Sequence, residues 1–180
     1  MTNAELAILT LLAEQPRHGY QIEQVIEQRG MRAWTEVGFS SIYYLLKKLE
    51  SQGLITARLQ EAERGPARKI YQITGLGRNA LKEGLLEALS EPQPCYTSFS
   101  LAIGNLPSIE HREAVEALTK YHSALTARLQ QINERWEGQK PLPYFVDALF
   151  DYSAARVEAE LKWTAEFIEQ MEAYHDQDRF

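Results

Sequence analysis

The sequence predicts a mainly α chain with a small β wing, built in two parts. Three observations lead there. Short amphipathic helical segments open the chain and give way to two strand-like runs around a Gly-Pro turn. Two long helical stretches follow toward the C-terminal end, the first with apolar residues at alternating spacings of three and four. Between the parts lies "SEPQPCYTS" at 90–98, polar and holding two prolines, which is the best candidate boundary. We therefore expect a first domain over residues 1–90, a linker over 91–107 and a helical domain over 108–180.

Each element has a local reason. "AELAILTLLAE" at 4–14 puts Leu6, Leu9 and Ala13 on one side and is ended by Pro16. In "HGYQIEQVIEQRG", Ile22, Val25 and Ile26 fall at i, i+3 and i+4, a helical face, so residues 19–29 read as a second helix stopped by Gly30. "MRAWTEVGF" is less regular and leads to Ser40. A third helix over about 40–52 has a serine start and ends at Gly53. "LITARLQ" at 54–60 and "RKIYQIT" at 68–74 enclose a tip with Gly65-Pro66 and read as a hairpin. Thr74 caps a further helix to about 89, carrying Leu76, Leu81, Leu85 and Leu89.

The third helix has an unusual front. Ile42, Leu45, Leu46 and Leu49 form a stripe that must be buried. At 100° per residue, Ser40, Tyr44, Lys47 and Ser51 then point away from it, with Ser41, Tyr43 and Lys48 on its flanks. The order helix, helix, helix, two-stranded wing, helix is that of a winged helix-turn-helix, in which the third helix enters the DNA major groove with its polar face. Ser40, Ser41, Tyr43, Tyr44, Lys47 and Lys48 are accordingly DNA-binding candidates. Tyr43 has an alternative role in packing beside the leucines. At the wing, Arg64, Arg68 and Lys69 are candidates for phosphate or minor-groove contact, with Glu61 and Glu63 as neighbours that repel phosphate unless paired.

The formal net charge of −6 argues against nucleic acid only until it is divided. Residues 1–90 hold 11 Lys and Arg against 10 Asp and Glu, whereas residues 91–180 hold 8 against 15. The acidity belongs to the second half, and phosphate attraction depends on the local field of the first. A single cysteine, Cys95, excludes a disulfide framework, and four histidines show no metal-ligand spacing. The chain lacks the phosphate-binding, zinc-protease and paired-cysteine motifs of common enzyme classes, and "GLG" at 75–77 lacks the third glycine of a dinucleotide fingerprint. No catalytic role, cofactor or metal is expected. No apolar run approaches the roughly 20 residues of a membrane span, and a cytoplasmic protein without a membrane partner is the expectation.

Three segments together resemble the PadR family of bacterial transcriptional regulators: "LAILTLLAEQPRHGYQIEQVIE" at 6–27, "SSIYYLLKKLESQGLIT" at 40–56 and "RGPARKIYQITGLGRNAL" at 64–81. The family pattern couples a His-Gly-Tyr opening of the second helix, a Ser-(Ile/Leu)-Tyr recognition helix and a wing closing on Arg-x-Tyr-x-(Ile/Leu)-Thr. The resemblance implies a homodimer bound to double-stranded DNA at a near-palindromic operator, usually as a repressor. It also implies that the tyrosine matching Tyr20 lies near the DNA backbone. His18 either contacts DNA or caps its helix. Ser40 and Tyr44 stand where the family often has glycine and proline, so base preference does not carry over. The second half resembles the longer C-terminal domain of one branch, which includes a virulence activator, so activation through the same DNA-binding fold is the alternative to repression.

That second half has its own logic. Val115, Leu118, His122, Leu125, Leu129, Ile132 and Trp136 follow spacings of three and four along residues 108–137. "GQKPLP" breaks the helix, and a second one over about 144–174 brings Leu149, Val157, Trp163, Phe167 and Met171 inward. A helical pair alone has a thin core, so a second copy is the simplest cover, and these apolar residues (His122 aside, read as structural) are the dimerisation candidates. Trp34, Trp136 and Trp163 are core or interface candidates, or walls of a pocket for a small aromatic effector. Cys95 reads as a small linker residue rather than a redox site. The competing function is a non-catalytic adaptor in which the winged helix docks protein, distinguished by whether the face of the third helix and wing is continuously positive.

Overall fold

Thr2 sets the start of the first helix, α1 (Asn3–Glu14). Its side chain accepts a hydrogen bond from the Glu5 N–H at 3.2 Å, and the Glu5 carboxylate accepts one from the Thr2 N–H at 2.9 Å. This reciprocal capping box satisfies two of the otherwise orphaned donors. The computed structural model describes residues 1–31, 42–61, 68–92, 94 and 96–177, with side chains through 173. The chain divides into two compact units, Met1–Cys95 and Tyr96–Phe180.

In the first unit, α1 is buried more completely than an amphipathic reading suggests. Ile8, Leu9, Leu11 and Leu12 are all inaccessible, with Leu6 and Ala13 partly covered. Around α1 pack α2 (Gly19–Gln28), through Ile22 and Ile26, and α3 (Ile42–Ser51), through Ile42, Leu45, Leu46 and Leu49. Gly53, at φ +72°, turns the chain out of α3 in a conformation that glycine adopts without strain.

The sheet holds three antiparallel strands among the described residues, in the order β1-β3-β2. Strands β2 (Ile55–Gln60) and β3 (Arg68–Ile73) form the expected hairpin, with Ala57 opposite Tyr71 and Gln60 opposite Arg68. The third strand, β1 (Arg17–His18), is a two-residue pairing that places Arg17 opposite Tyr71 and His18 opposite Ile70. It corrects the expected two-stranded wing. So short a strand has no room for alternation, and pairing to β3 alone defines it.

Helix α4 (Gly75–Ser90) starts at Thr74, whose hydroxyl oxygen accepts from the Gly77 N–H at 3.0 Å. Leu81 is buried, but Leu76, Leu85, Leu86 and Leu89 are exposed, so much of the apolar surface of α4 is uncovered. Leu81, Leu85, Leu86 and Leu89 line a shallow groove with Ala13, edged by Arg78 and Lys82.

The second unit begins with α5 (Ser98–Gly104), a short helix capped by Thr97 inside the stretch read from sequence as linker. Helices α6 (His111–Gly138) and α7 (Tyr144–Gln177) pack along each other as the expected pair. Among the described side chains their buried apolar residues are Ala114, Leu118 and Leu125 with Ala154 and Val157. Phe99 of α5 stacks on Tyr121 at 4.2 Å between ring centroids and meets Trp163 edge-on at 5.9 Å. No helix among the described residues is long and apolar enough to cross a membrane.

Candidate nucleic-acid interface

The front of α3 is laid out as its sequence demands. The leucine stripe is fully covered, while Tyr43 and Tyr44 are 58% and 67% exposed and Lys47 is exposed beside them. Two exposed phenols and a lysine on one helix face offer hydrogen-bond donors, flat surfaces and positive charge toward solvent. Ser40, Ser41 and Arg64 lie outside the described residues, as do Trp34 and Cys95.

Tyr43 does more than face outward. Its ring lies on the backbone of Gly19, where an added Cβ would come within 2.7 Å of the ring. The His-Gly-Tyr motif at the start of α2 therefore supplies a seat for an aromatic residue of α3. This close approach joins the two helices, so Tyr43 packs against α2 while 58% of it stays exposed.

His18 and Tyr20 flank that glycine. Their rings stack at 5.6 Å between centroids and 10° between planes, and the Arg68 guanidinium sits over the Tyr20 ring at 5.4 Å. His18 Nδ1 lies 2.9 Å from the Lys69 carbonyl oxygen. A carbonyl only accepts, so Nδ1 carries the proton and donates. The His18 backbone N–H donates in turn to Gln21 Oε1 at 2.9 Å. His18, Tyr20 and Arg68 thus form one layered surface connecting the start of α2 to the wing.

The two remaining lysines are engaged with carboxylates. Lys69 Nζ is 3.5 Å from Glu50 of α3, with both side chains partly exposed. Lys48 Nζ lies 2.6 Å from Glu5 Oε1, and Glu5 is only 4% exposed. Burial pushes the Glu5 carboxyl up, but the hydrogen bonds from Lys48 and the Thr2 N–H, with the Lys48 charge, outweigh it and hold the group below its ordinary value. Sequence reasoning missed both carboxylates, because no local pattern relates Glu5 to Lys48 or Glu50 to Lys69.

At the connection from α1 to α2, Glu14 holds two arginines. Arg29 grips it bidentately at 2.6 and 2.9 Å, and Arg17 reaches it at 2.7 Å while its Nε donates to the Leu11 carbonyl at 3.1 Å. The Arg29 hydrogen bonds hold the Glu14 carboxyl below its usual range against the opposing effect of burial, with Arg17 adding to them.

In the second unit, Leu118, Leu125 and Val157 are buried in the helical pair, while Val115, Leu129, Ile132, Leu149, Phe167 and Met171 are half-buried. Trp163 remains 42% exposed. Trp136 is used within the chain: its Nε1–H donates to Asp147 at 2.7 Å, and its ring stacks on Phe150 at 6.2 Å. His122 is half-buried on the seam.

The sequence pattern of the "Transcriptional regulator PadR-like family" matches residues 8–83. An uncharacterized protein of Lysinibacillus sphaericus is 34% identical over 76 residues, covering 42% of this chain and 69% of that one. The negative transcriptional regulator PadR of Bacillus subtilis is 26% identical over 131 residues, 73% of this chain and 71% of that protein. Crystal structures of Bacillus subtilis PadR share the fold at 24% identity, covering 93% of this chain and 98% of theirs. The complex with operator DNA gives a TM-score of 0.74, and the complex with p-coumaric acid one of 0.75. The PadR-like transcriptional regulator BC1756 of Bacillus cereus shares the fold at 19% identity, covering 95% of this chain and 99% of that one, with a TM-score of 0.67. The chain belongs to the PadR-like family of non-enzymatic, DNA-binding transcriptional regulators, in the branch with a longer helical C-terminal domain.

Proposed function

We propose that the chain is a homodimeric repressor that occupies a near-palindromic operator and so blocks transcription. The observation that carries this reading is the front of α3, where Tyr43, Tyr44 and Lys47 are exposed opposite a fully buried leucine stripe. In this reading residues 1–90 bind DNA, residues 91–107 connect, and residues 108–180 dimerise. Helix α3 enters the major groove with Tyr44 and Lys47 foremost, joined by Ser40 and Ser41. His18, Tyr20 and Arg68 meet the backbone beside it, with Lys69 and Arg64 toward the wing tip.

Dimerisation is supported by the uncovered apolar surface. Outside the small buried set of α6 and α7, Tyr144, Phe145, Tyr152 and Trp163 are exposed in the second unit, and Leu85, Leu86 and Leu89 in the first. Large apolar side chains left exposed on each unit by itself support an association face. Val115, Leu129, Ile132, Trp136, Leu149, Phe167 and Met171 extend it, while Leu118, Leu125 and Val157 support it from within. A small aromatic effector, the class represented by p-coumaric acid in the Bacillus subtilis protein, would release the operator by favouring a dimer geometry with different half-site spacing.

Light scattering tests the assembly and footprinting its register. The expected mass is twice the 20.6 kDa of the chain, with two protected half-sites about one helical turn, ~34 Å, apart. A monomer at micromolar concentration, or a single protected half-site, contradicts the proposal.

A further inference from the structure

We infer that Lys48 is a positioning residue: through Glu5 it sets where α3 lies on α1, and it does not itself contact phosphate. The inference rests on the DNA-binding reading above and deepens it.

Neighbouring lysines on α3 have different surroundings. Lys47 is exposed with Tyr44 on the outward face. Lys48 is half-buried and reaches back across α1, with its Nζ 2.6 Å from Glu5 Oε1. The other Glu5 oxygen, Oε2, accepts from the Thr2 N–H at 2.9 Å, so both oxygens of a carboxylate only 4% exposed are committed. If Lys48 turned to a phosphate, it would leave a buried anion without its counter-ion at the capped end of α1. That loss outweighs exchanging one ion pair for another at an exposed site. Phosphate therefore does not compete for Lys48.

Fixing α3 matters because hydrogen bonds to base edges depend on the helix's placement in the groove, whereas attraction to phosphates tolerates small displacements. The Lys48–Glu5 pair ties the C-terminal half of α3 to the first turn of α1, four residues beyond Tyr44 and one beyond Lys47. Loosening that tie should erode discrimination between sequences while leaving the number of neutralised phosphates unchanged.

The test uses the full-length protein and a duplex enriched from a random-sequence pool by the wild type, with a scrambled duplex as reference. Measurements are made at a temperature where far-UV circular dichroism shows every variant folded. Glu5→Gln keeps an acceptor for the Thr2 N–H, and Lys48→Met keeps the aliphatic stem. Each should reduce the ratio of enriched to scrambled affinity roughly tenfold, and the double variant should lose little more than either single one. Lys48→Arg should restore the ratio. In all of these the slope of log affinity against log salt stays at the wild-type value, whereas Lys47→Ala lowers it by about 0.9 for each phosphate left unneutralised. The inference is overturned if Lys48→Met flattens the slope as Lys47→Ala does, or if Glu5→Gln leaves the ratio intact. A wild type that enriches no sequence defeats the DNA-binding reading itself, a failure visible before any variant is made.

Discussion

Single residues decide whether this surface is assembled. Gly77 is the sharpest case: a Cβ there would lie 2.0 Å from the Leu54 carbonyl oxygen and 2.8 Å from Ile73. The same carbonyl accepts from the Thr74 N–H at 3.0 Å, so it cannot move aside without releasing the junction between β2 and α4. Gly77→Ala is expected to destabilise the first unit by about 3 kcal/mol, the upper end for overpacking. A urea melt followed by circular dichroism reads this as a lower midpoint with an unchanged slope; an unchanged midpoint contradicts the packing described. Much at this scale is legible in the sequence. The α3 stripe, its outward tyrosines and Thr74 as a cap follow from periodicity and turn chemistry. The seat that Gly19 gives Tyr43, and the carboxylates held by Lys48 and Lys69, do not, because these pairings join residues that no local pattern relates.

At the scale of elements, the strongest local signals are the most legible. The β2–β3 hairpin shows itself by two strand-like runs around Gly-Pro, α6 by sustained apolar spacing, and α7 as the helical stretch after the "GQKPLP" break. Strand β1 is illegible because two residues carry no period, and α5 because "SFSLAIG" is short and follows two prolines. Yet α5 shapes its unit, since Phe99 covers Tyr121 while the Tyr121 hydroxyl donates to Glu160. Burial, reinforced by the hydrogen bond and charge of Glu160, pushes the Tyr121 phenol up to about 12. A phenol raised in the folded state contributes stability that is complete below its unfolded value near 10 and is lost as pH rises through 12. Absorbance titration at the tyrosinate band should therefore show one of the nine tyrosines ionising about two pH units late. Tyr121→Phe should remove that late step; its persistence in the variant would assign it elsewhere.

At the scale of the whole molecule, the proposed division of labour rests on charge and burial. The first half is near-neutral overall, yet it exposes Lys47, Arg58, Arg68 and Lys69 on α3 and the wing. The second half carries the acidity and buries few of its large apolar residues within its own helical pair. Family membership is readable from three motif segments in their proper order, because those motifs record local requirements such as the tyrosines of α3 and the cap on α4. In the proposed reading an operator sequence is not readable, since it would depend on which base edges the α3 side chains reach. The most direct measurement is fluorescence anisotropy of the full-length protein on a duplex from upstream of its own gene and on a scrambled duplex, at two salt concentrations. A clear preference for the native duplex is expected, with affinity for both falling as salt rises. Equal binding to the two duplexes, or none to either at low salt, would contradict it.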